Sequence, residues 1–376
     1  MPRLAEVVDF LHRRIAPNAA QLDVSLDAMA AALDAMAEAG YLGLRCPAEY
    51  GNEPLTEAEH RQFQQACARA SGAFAFLQTQ HQSAVSMLAK SDNDALRDSV
   101  LPRTIFGEHR IGIGFSQLRR PGEPIMRATA DADGYRLSGH VPWITGYGFF
   151  GEFLIGAELE DGRAVFGLVP LRTAAGIRVS APMPLAAMQT ANTVTADLTD
   201  FRLPAEHVAF IRPPGWIREN DRINVALQGH FAVGCGAAAL DLLNVALAKR
   251  DQPENEAWVA TLRSRWRQAK DRLEAVSDWD VPAGATDRLD ARAEAIVVMQ
   301  DLAWAAVTMS AGAANSLSHP AQRILREALV FTVSAQTAAI QTATLGRIAT
   351  PGQIATPGRL AESGPLAASE KSEVPA

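Results

Sequence analysis

Between Ile111 and Phe210 about a hundred residues carry only short alternating segments, and long helical periodicity lies on both sides of them. This order constrains the fold most. Strands without helices between them cannot build a doubly wound parallel sheet, so the middle of the chain predicts a β barrel or sandwich. Asp133-Gly134, between Arg127–Ala130 and Tyr135–Leu137, is a hairpin signal. Asp161-Gly162, between Phe153–Ala157 and Ala164–Val169, reads as a second. Val194, Ala196 and Leu198 alternate with Thr193, Thr195 and Asp197, the pattern of a half-buried strand.

The flanks read as helices. Ser25 is a good N-cap, Leu26, Met29, Leu33 and Met36 follow at helical spacing, and Gly40 closes the helix. Two more are expected over 57–70 and 74–90. After Pro214 the spacing predicts long helices over 222–249, 257–276, 290–317 and 321–345, which antiparallel packing would make a four-helix bundle. The 257–276 helix has a basic face that reads as solvated surface. The fold expected is therefore α+β and multidomain. An N-terminal helical domain spans 1–108, a middle β domain 109–213 and the C-terminal bundle 214–348. The Pro-, Gly- and Ser-rich tail, 349–376, is expected to be disordered.

Composition excludes several classes. The 376 residues are 48% hydrophobic and 20% charged, as in a globular protein. A net charge of -7 argues against a nucleic-acid partner. The most apolar stretch, 223–248, is interrupted by Gln228, His230, Asp241 and Asn244, so no membrane span is expected. Three scattered cysteines suit a reducing compartment, and no leader is read at the N-terminus, so a cytoplasmic location is expected. The histidines show no metal-ligand spacing.

Four segments, collinear along nearly the whole chain, carry a resemblance. Ala39–Gly51 (AGYLGLRCPAEYG), Asp133–Gly146 (DGYRLSGHVPWITG), Asp200–Val208 (DFRLPAEHV) and His319–Ala328 (HPAQRILREA) are similar to signature stretches of the acyl-CoA dehydrogenase family. The resemblance implies FAD between the β domain and the bundle, an acyl thioester or other small-molecule substrate, and an electron acceptor or O₂. It also implies a homotetramer or homodimer. Carried over one position at a time, it assigns Trp143, Ile144 and Thr145 to the flavin ring, with Phe115 and Ser116 on the strand beside it. It assigns Arg250 to the FAD of a neighbouring subunit, and Thr337 to the cofactor as well. The small residues of the helix from Phe231 are expected to let bundle backbones approach closely across subunits.

The pattern breaks in three places. The family's acidic, glycine-bearing loop is replaced by Ser116–Pro124, with Arg119 and Arg120 added. Glycines are lost after Arg250 and around Gly312. The position of the family's catalytic Glu is Ala335, so no catalytic residue is assigned. Some members place that Glu on the first long bundle helix, where Asn224 stands here. Asp221 lies one turn away, and Glu219 is further off. The reaction stays open between an acyl-thioester CH–CH oxidoreductase, a flavin monooxygenase on the same fold, and a non-catalytic scaffold.

Overall fold

The computed structural model describes residues 2–249, 252–278 and 284–350. The N-terminal region is helical: α1 (Pro2–Phe10), α2 (Ala19–Leu22), α3 (Leu26–Glu38), α4 (Glu57–Ala70), α5 (Gly72–Leu88) and α6 (Asp94–Thr104). Sequence explains the ends. The Ser25 hydroxyl accepts from the Ala28 N–H, and Thr56 and Glu59 form a reciprocal capping box. Met29, Leu33 and Met36 are fully buried, as their spacing requires. α5 is buried on nearly every face, so it serves as the central helix of this region.

Eight strands follow: β1 (Ile111–Gly114), β2 (Met126–Asp131), β3 (Gly134–Thr145), β4 (Glu152–Glu158), β5 (Ala164–Pro170), β6 (Ile177–Val179), β7 (Thr193–Pro204) and β8 (Val208–Arg212). They form one mixed sheet in the order β6-β7-β3-β2-β4-β5-β8, with β1 pairing parallel to β4. The β2–β3 hairpin pairs Asp131 with Gly134, so its loop residues are Ala132 and Asp133. Gly134 opens β3 at φ +142°, where a Cβ would lie 2.2 Å from the Leu203 carbonyl oxygen. The sheet shares one core with the N-terminal helices and the bundle. A smaller core, with Cys46, Leu88, Leu101, Phe166 and Phe210, joins α5 and α6 to β1, β5 and β8.

The C-terminal helices are α7 (Trp216–Asn224), α8 (Gly229–Leu247), α9 (Pro253–Ser277), α10 (Ala285–Ser310), α11 (Pro320–Val333) and α12 (Ala338–Ala349). Three expected helices are corrected. The 222–249 helix is divided by a tight 3₁₀ turn at Val225–Gln228. The 290–317 helix stops at Ser310, because Ala311 takes φ +51°. The 321–345 helix breaks over 334–337, where Ala335 takes φ +46° and the Thr337 side chain restarts the chain as the N-cap of α12.

The small residues of α8 also find partners inside this chain. A Cβ on Gly234 would lie 2.2 Å from the Gln65 carbonyl oxygen of α4, and one on Gly236 would meet Trp266 and Leu302. By length and composition, Val225–Leu247 and Ala285–Asn315 are long and apolar enough to cross a membrane, unlike the reading of 223–248 above. The first is mostly buried inside the fold. All three cysteines are buried and free. The tail expected to be disordered lies outside the described residues from 351 onward.

Candidate active site

β3 ends in an irregularity. Its register against β7 shifts between Val141 and Ile144, a bulge that re-aims neighbouring side chains. Trp143 is therefore 47% exposed, while Ile144 and Thr145 on either side of the next peptide are buried. The Thr145 and Thr193 hydroxyls lie 3.0 Å apart. Two hydroxyls sharing one hydrogen bond leave one O–H free to donate elsewhere. β1 runs close beside this end of β3: a Cβ on Gly112 would sit 3.2 Å from the Thr145 carbonyl oxygen. The chain then turns through Phe115 into a 3₁₀ turn, Ser116–Arg119.

Here the expected residues separate. The Phe115 ring is turned into the smaller core, edge-on to Phe166 at 5.7 Å, and Ile144 is likewise a core side chain. Only their backbones are open to a ligand role. Among the described residues, the buried Ser116 hydroxyl has no hydrogen-bond partner, nor has the buried Gln117 side-chain oxygen Oε1. An unsatisfied buried polar group costs about 1–3 kcal/mol. A half-exposed indole at the end of β3, together with hydroxyls that keep donor capacity, is the residue chemistry that a flavin's aromatic plane and polar edge call for, so these residues fit the cofactor that the resemblance implies.

The bundle meets the 3₁₀ turn through an ion pair. Arg119 reaches from the 3₁₀ turn to Asp221 on α7 and donates two parallel bonds, Nε–Oδ2 2.8 Å and Nη2–Oδ1 2.9 Å. This bidentate clasp engages both carboxylate oxygens of the one acid that stood near the relocated-base position. Asn224 donates from Nδ2 to the Asn220 carbonyl and side-chain oxygens, and Glu219 pairs with Arg222 at the exposed surface. No carboxylate in this group is free to act as a base.

Arg292, on α10, was not singled out in the sequence. It is only 2% exposed. Its Nη2 donates to the Ser334 carbonyl at 2.7 Å and its Nη1 to the Val225 carbonyl at 3.4 Å, while both nitrogens approach the Ala335 carbonyl at 3.4 Å. Nε has no partner. Burial pulls its pKa down to about 10; Asp221 is near enough to oppose that shift and Arg119 to add to it. One guanidinium thus ties together the end of α7 and the break before α12. These are the two places from which a catalytic Glu would have come. Thr337, two residues beyond Ala335, uses its hydroxyl to cap α12, accepting from the Ile340 N–H at 3.4 Å. Arg250 lies outside the described residues.

Known proteins agree with this architecture. Residues 4–108 match the model of the acyl-CoA dehydrogenase N-terminal domain. Mitochondrial isovaleryl-CoA dehydrogenase of Pongo abelii is 24% identical over 213 residues, 54% of this chain and 50% of that protein. The chain thus spans about half the length of this curated relative. Among solved structures, glutaryl-coenzyme A dehydrogenase with glutaryl-CoA superposes with a TM-score of 0.77 at 18% identity, covering 92% of this chain and 94% of the other. KijD3 in complex with FMN and a dTDP-linked amino keto sugar gives 0.71 at 20%, covering 93% and 92%. Nitrososynthase from Micromonospora carbonacea var. africana gives 0.76 at 17%, covering 93% and 96%. Residues 4–108 thus match the N-terminal domain of the acyl-CoA dehydrogenases, and the chain as a whole has the acyl-CoA dehydrogenase fold.

Proposed function

We propose that this protein is an FAD-dependent oxidoreductase whose reaction does not rely on a protein carboxylate to remove a proton from the substrate. One observation carries the reading: position 335 presents a methyl group, and Asp221 is held in both oxygens by Arg119. A positioned general base contributes about 10²–10⁴-fold in rate, or roughly 3–5 kcal/mol of barrier. Carbon–carbon dehydrogenation of an acyl thioester depends on that step, whereas monooxygenation does not. Monooxygenation is therefore the reaction that this arrangement supports best. When bound, a flavin supplies two-electron redox chemistry, taking up hydride or, once reduced, activating oxygen. In this reading Trp143 provides the plane on which the ring lies. Ser116 and the Thr145–Thr193 pair orient its polar edge, and the sheet and bundle together exclude water. KijD3, solved with FMN and a sugar nucleotide, and the nitrososynthase support it as neighbours in fold.

The second reading is an acyl-thioester dehydrogenase acting on a CH–CH bond. The similarity to isovaleryl-CoA dehydrogenase favours it. Stopped-flow measurement on the purified flavoprotein separates the two. The expected result is negligible anaerobic bleaching by saturated acyl-CoAs, and oxygen uptake once an external reductase is supplied. Rapid bleaching by an acyl-CoA would establish the second reading instead, and loss of that bleaching in Asp221→Asn would make Asp221 its base. Protein purified without any flavin, and unable to take it up, would leave only a scaffold role.

The chain is also proposed to work as a homodimer or homotetramer. Trp304, Leu329, Val333, Leu345 and Ile348 are large apolar side chains left exposed on the bundle helices. Light scattering at micromolar concentration should give at least twice the chain mass; a monomer would refute the assembly.

A further inference from the structure

We propose that Arg119, Asp221 and Arg292 form a binding site for an anionic group of the substrate, a carboxylate or a phosphoryl. Three elements meet here: Arg119 of the Ser116–Arg119 turn grips Asp221 on α7, and Arg292 of α10 bonds the Val225 carbonyl, one turn beyond Asp221. It holds two guanidinium groups and one carboxylate, and that carboxylate is fully engaged by Arg119. Among the described residues, Arg292 keeps a buried positive charge whose hydrogen bonds run only to backbone carbonyls, with Nε unpartnered. Among the described residues no carboxylate forms an ion pair with it. Carbonyl dipoles at the ends of α7 and α11 offset part of the cost of burying a charge, but a counter-ion offsets it better. The Arg119 and Asp221 side chains are each 22% exposed, so the cluster opens to solvent through them. An arriving anion would bring the group to neutrality. It would sit beside Ala335, whose exposed methyl leaves room where a dehydrogenase carries a negative charge.

The inference rests on the flavoprotein reading only in calling the ligand a substrate. The test is calorimetric titration of the flavin-loaded protein with inorganic phosphate and, separately, succinate. Saturable binding of one of them is expected, and which one binds identifies the class. Arg292→Met should weaken it by about 10- to 100-fold, the ordinary worth of a charge-assisted contact. Arg119→Gln tests the same idea at a partly exposed site. It frees Asp221 to neutralise Arg292, so binding should fall about tenfold. If Arg292→Met does not fold, Arg119→Gln decides. Arg163→Gln, at an exposed pair with Asp161, should change nothing.

Absence of saturable binding, or binding untouched by Arg119→Gln and by any folded Arg292→Met, overturns the proposal. Binding seen only after the flavin is stripped would assign the cluster to the cofactor's own phosphates, and would overturn the substrate assignment. A protein that lacks flavin yet binds phosphate through Arg292 would instead sink the flavoprotein reading and keep the anion site.

Discussion

Trp143 and Thr145 are two positions apart on one strand, yet one is half open and the other buried, because the β3 bulge interrupts the alternation. An indole left open in this way contributes little to the core. Trp143→Ala should therefore cost less than about 1 kcal/mol of stability. It should also lower flavin retention sharply. Thermal melting together with flavin stoichiometry after gel filtration checks both halves, and unchanged stoichiometry would remove Trp143 from the site. The Trp-Ile-Thr run was legible in the sequence because it is local: a hairpin signal places it, and its residue types carry the chemistry. The Arg119–Asp221 clasp was not legible, since its partners lie 102 residues apart and each reads alone as an ordinary charge. Arg292 did leave a trace, a single cation between Ala291 and Ala293 on a buried helical face, but its carbonyl partners exist only in the folded chain.

Among the elements, α8 shows what small residues are for. Gly234 lets α8 approach α4 until backbone meets backbone, and Gly→Ala there drives a methyl into a carbonyl oxygen that cannot withdraw. Gly234→Ala should cost about 3 kcal/mol, the upper end of ordinary overpacking. Gly346, on α12, has no neighbour among the described residues within 4 Å of a would-be Cβ. Gly346→Ala should stabilise the helix by roughly 0.5–1 kcal/mol. Urea unfolding of both variants tests the pair, and equal effects would show that α8 and α4 do not meet as described. The composition of α8 was readable; its partner was not, because an Ala- and Gly-rich face fits a neighbour from any chain. Helix continuity misled for a related reason. Apolar periodicity runs on through Ser334–Thr337, whereas the break is imposed by a left-handed residue, a cap and the carbonyl-binding Arg292.

At the scale of the molecule, two buried imidazoles and one half-buried one make the fold sensitive to acid. Burial lowers the pKa of His81 to about 4 and of His230 to about 3, and holds His60 well below the ordinary range. His230 is locked neutral by two bonds, to Gln65 through Nδ1 at 2.8 Å and to Ser277 through Nε2 at 2.9 Å. The unfolded chain takes up protons on these rings below about pH 6.5, whereas the fold does not until about pH 4 or lower. Stability is thus fully present above pH 6.5 and is lost as the pH falls towards 4. Buried Glu327, whose carboxyl burial pushes upward, offsets part of the loss near the lower end. Urea midpoints should decline from pH 7 to 5, and less steeply in His230→Gln; a flat profile in the parent protein would refute the account.

The three thiols carry a different consequence. Each is buried, and burial raises its pKa: Cys46 to about 11, with Cys67 and Cys235 raised as well. A thiol-directed reagent attacks the thiolate, so the native chain offers it almost nothing. Cys46 belongs to the smaller core under the sheet, while Cys67 and Cys235 belong to the larger one. Modification at each site then waits for its own core to open. The protein carries two internal clocks for local unfolding, one in each core, and both can be timed without adding a probe residue.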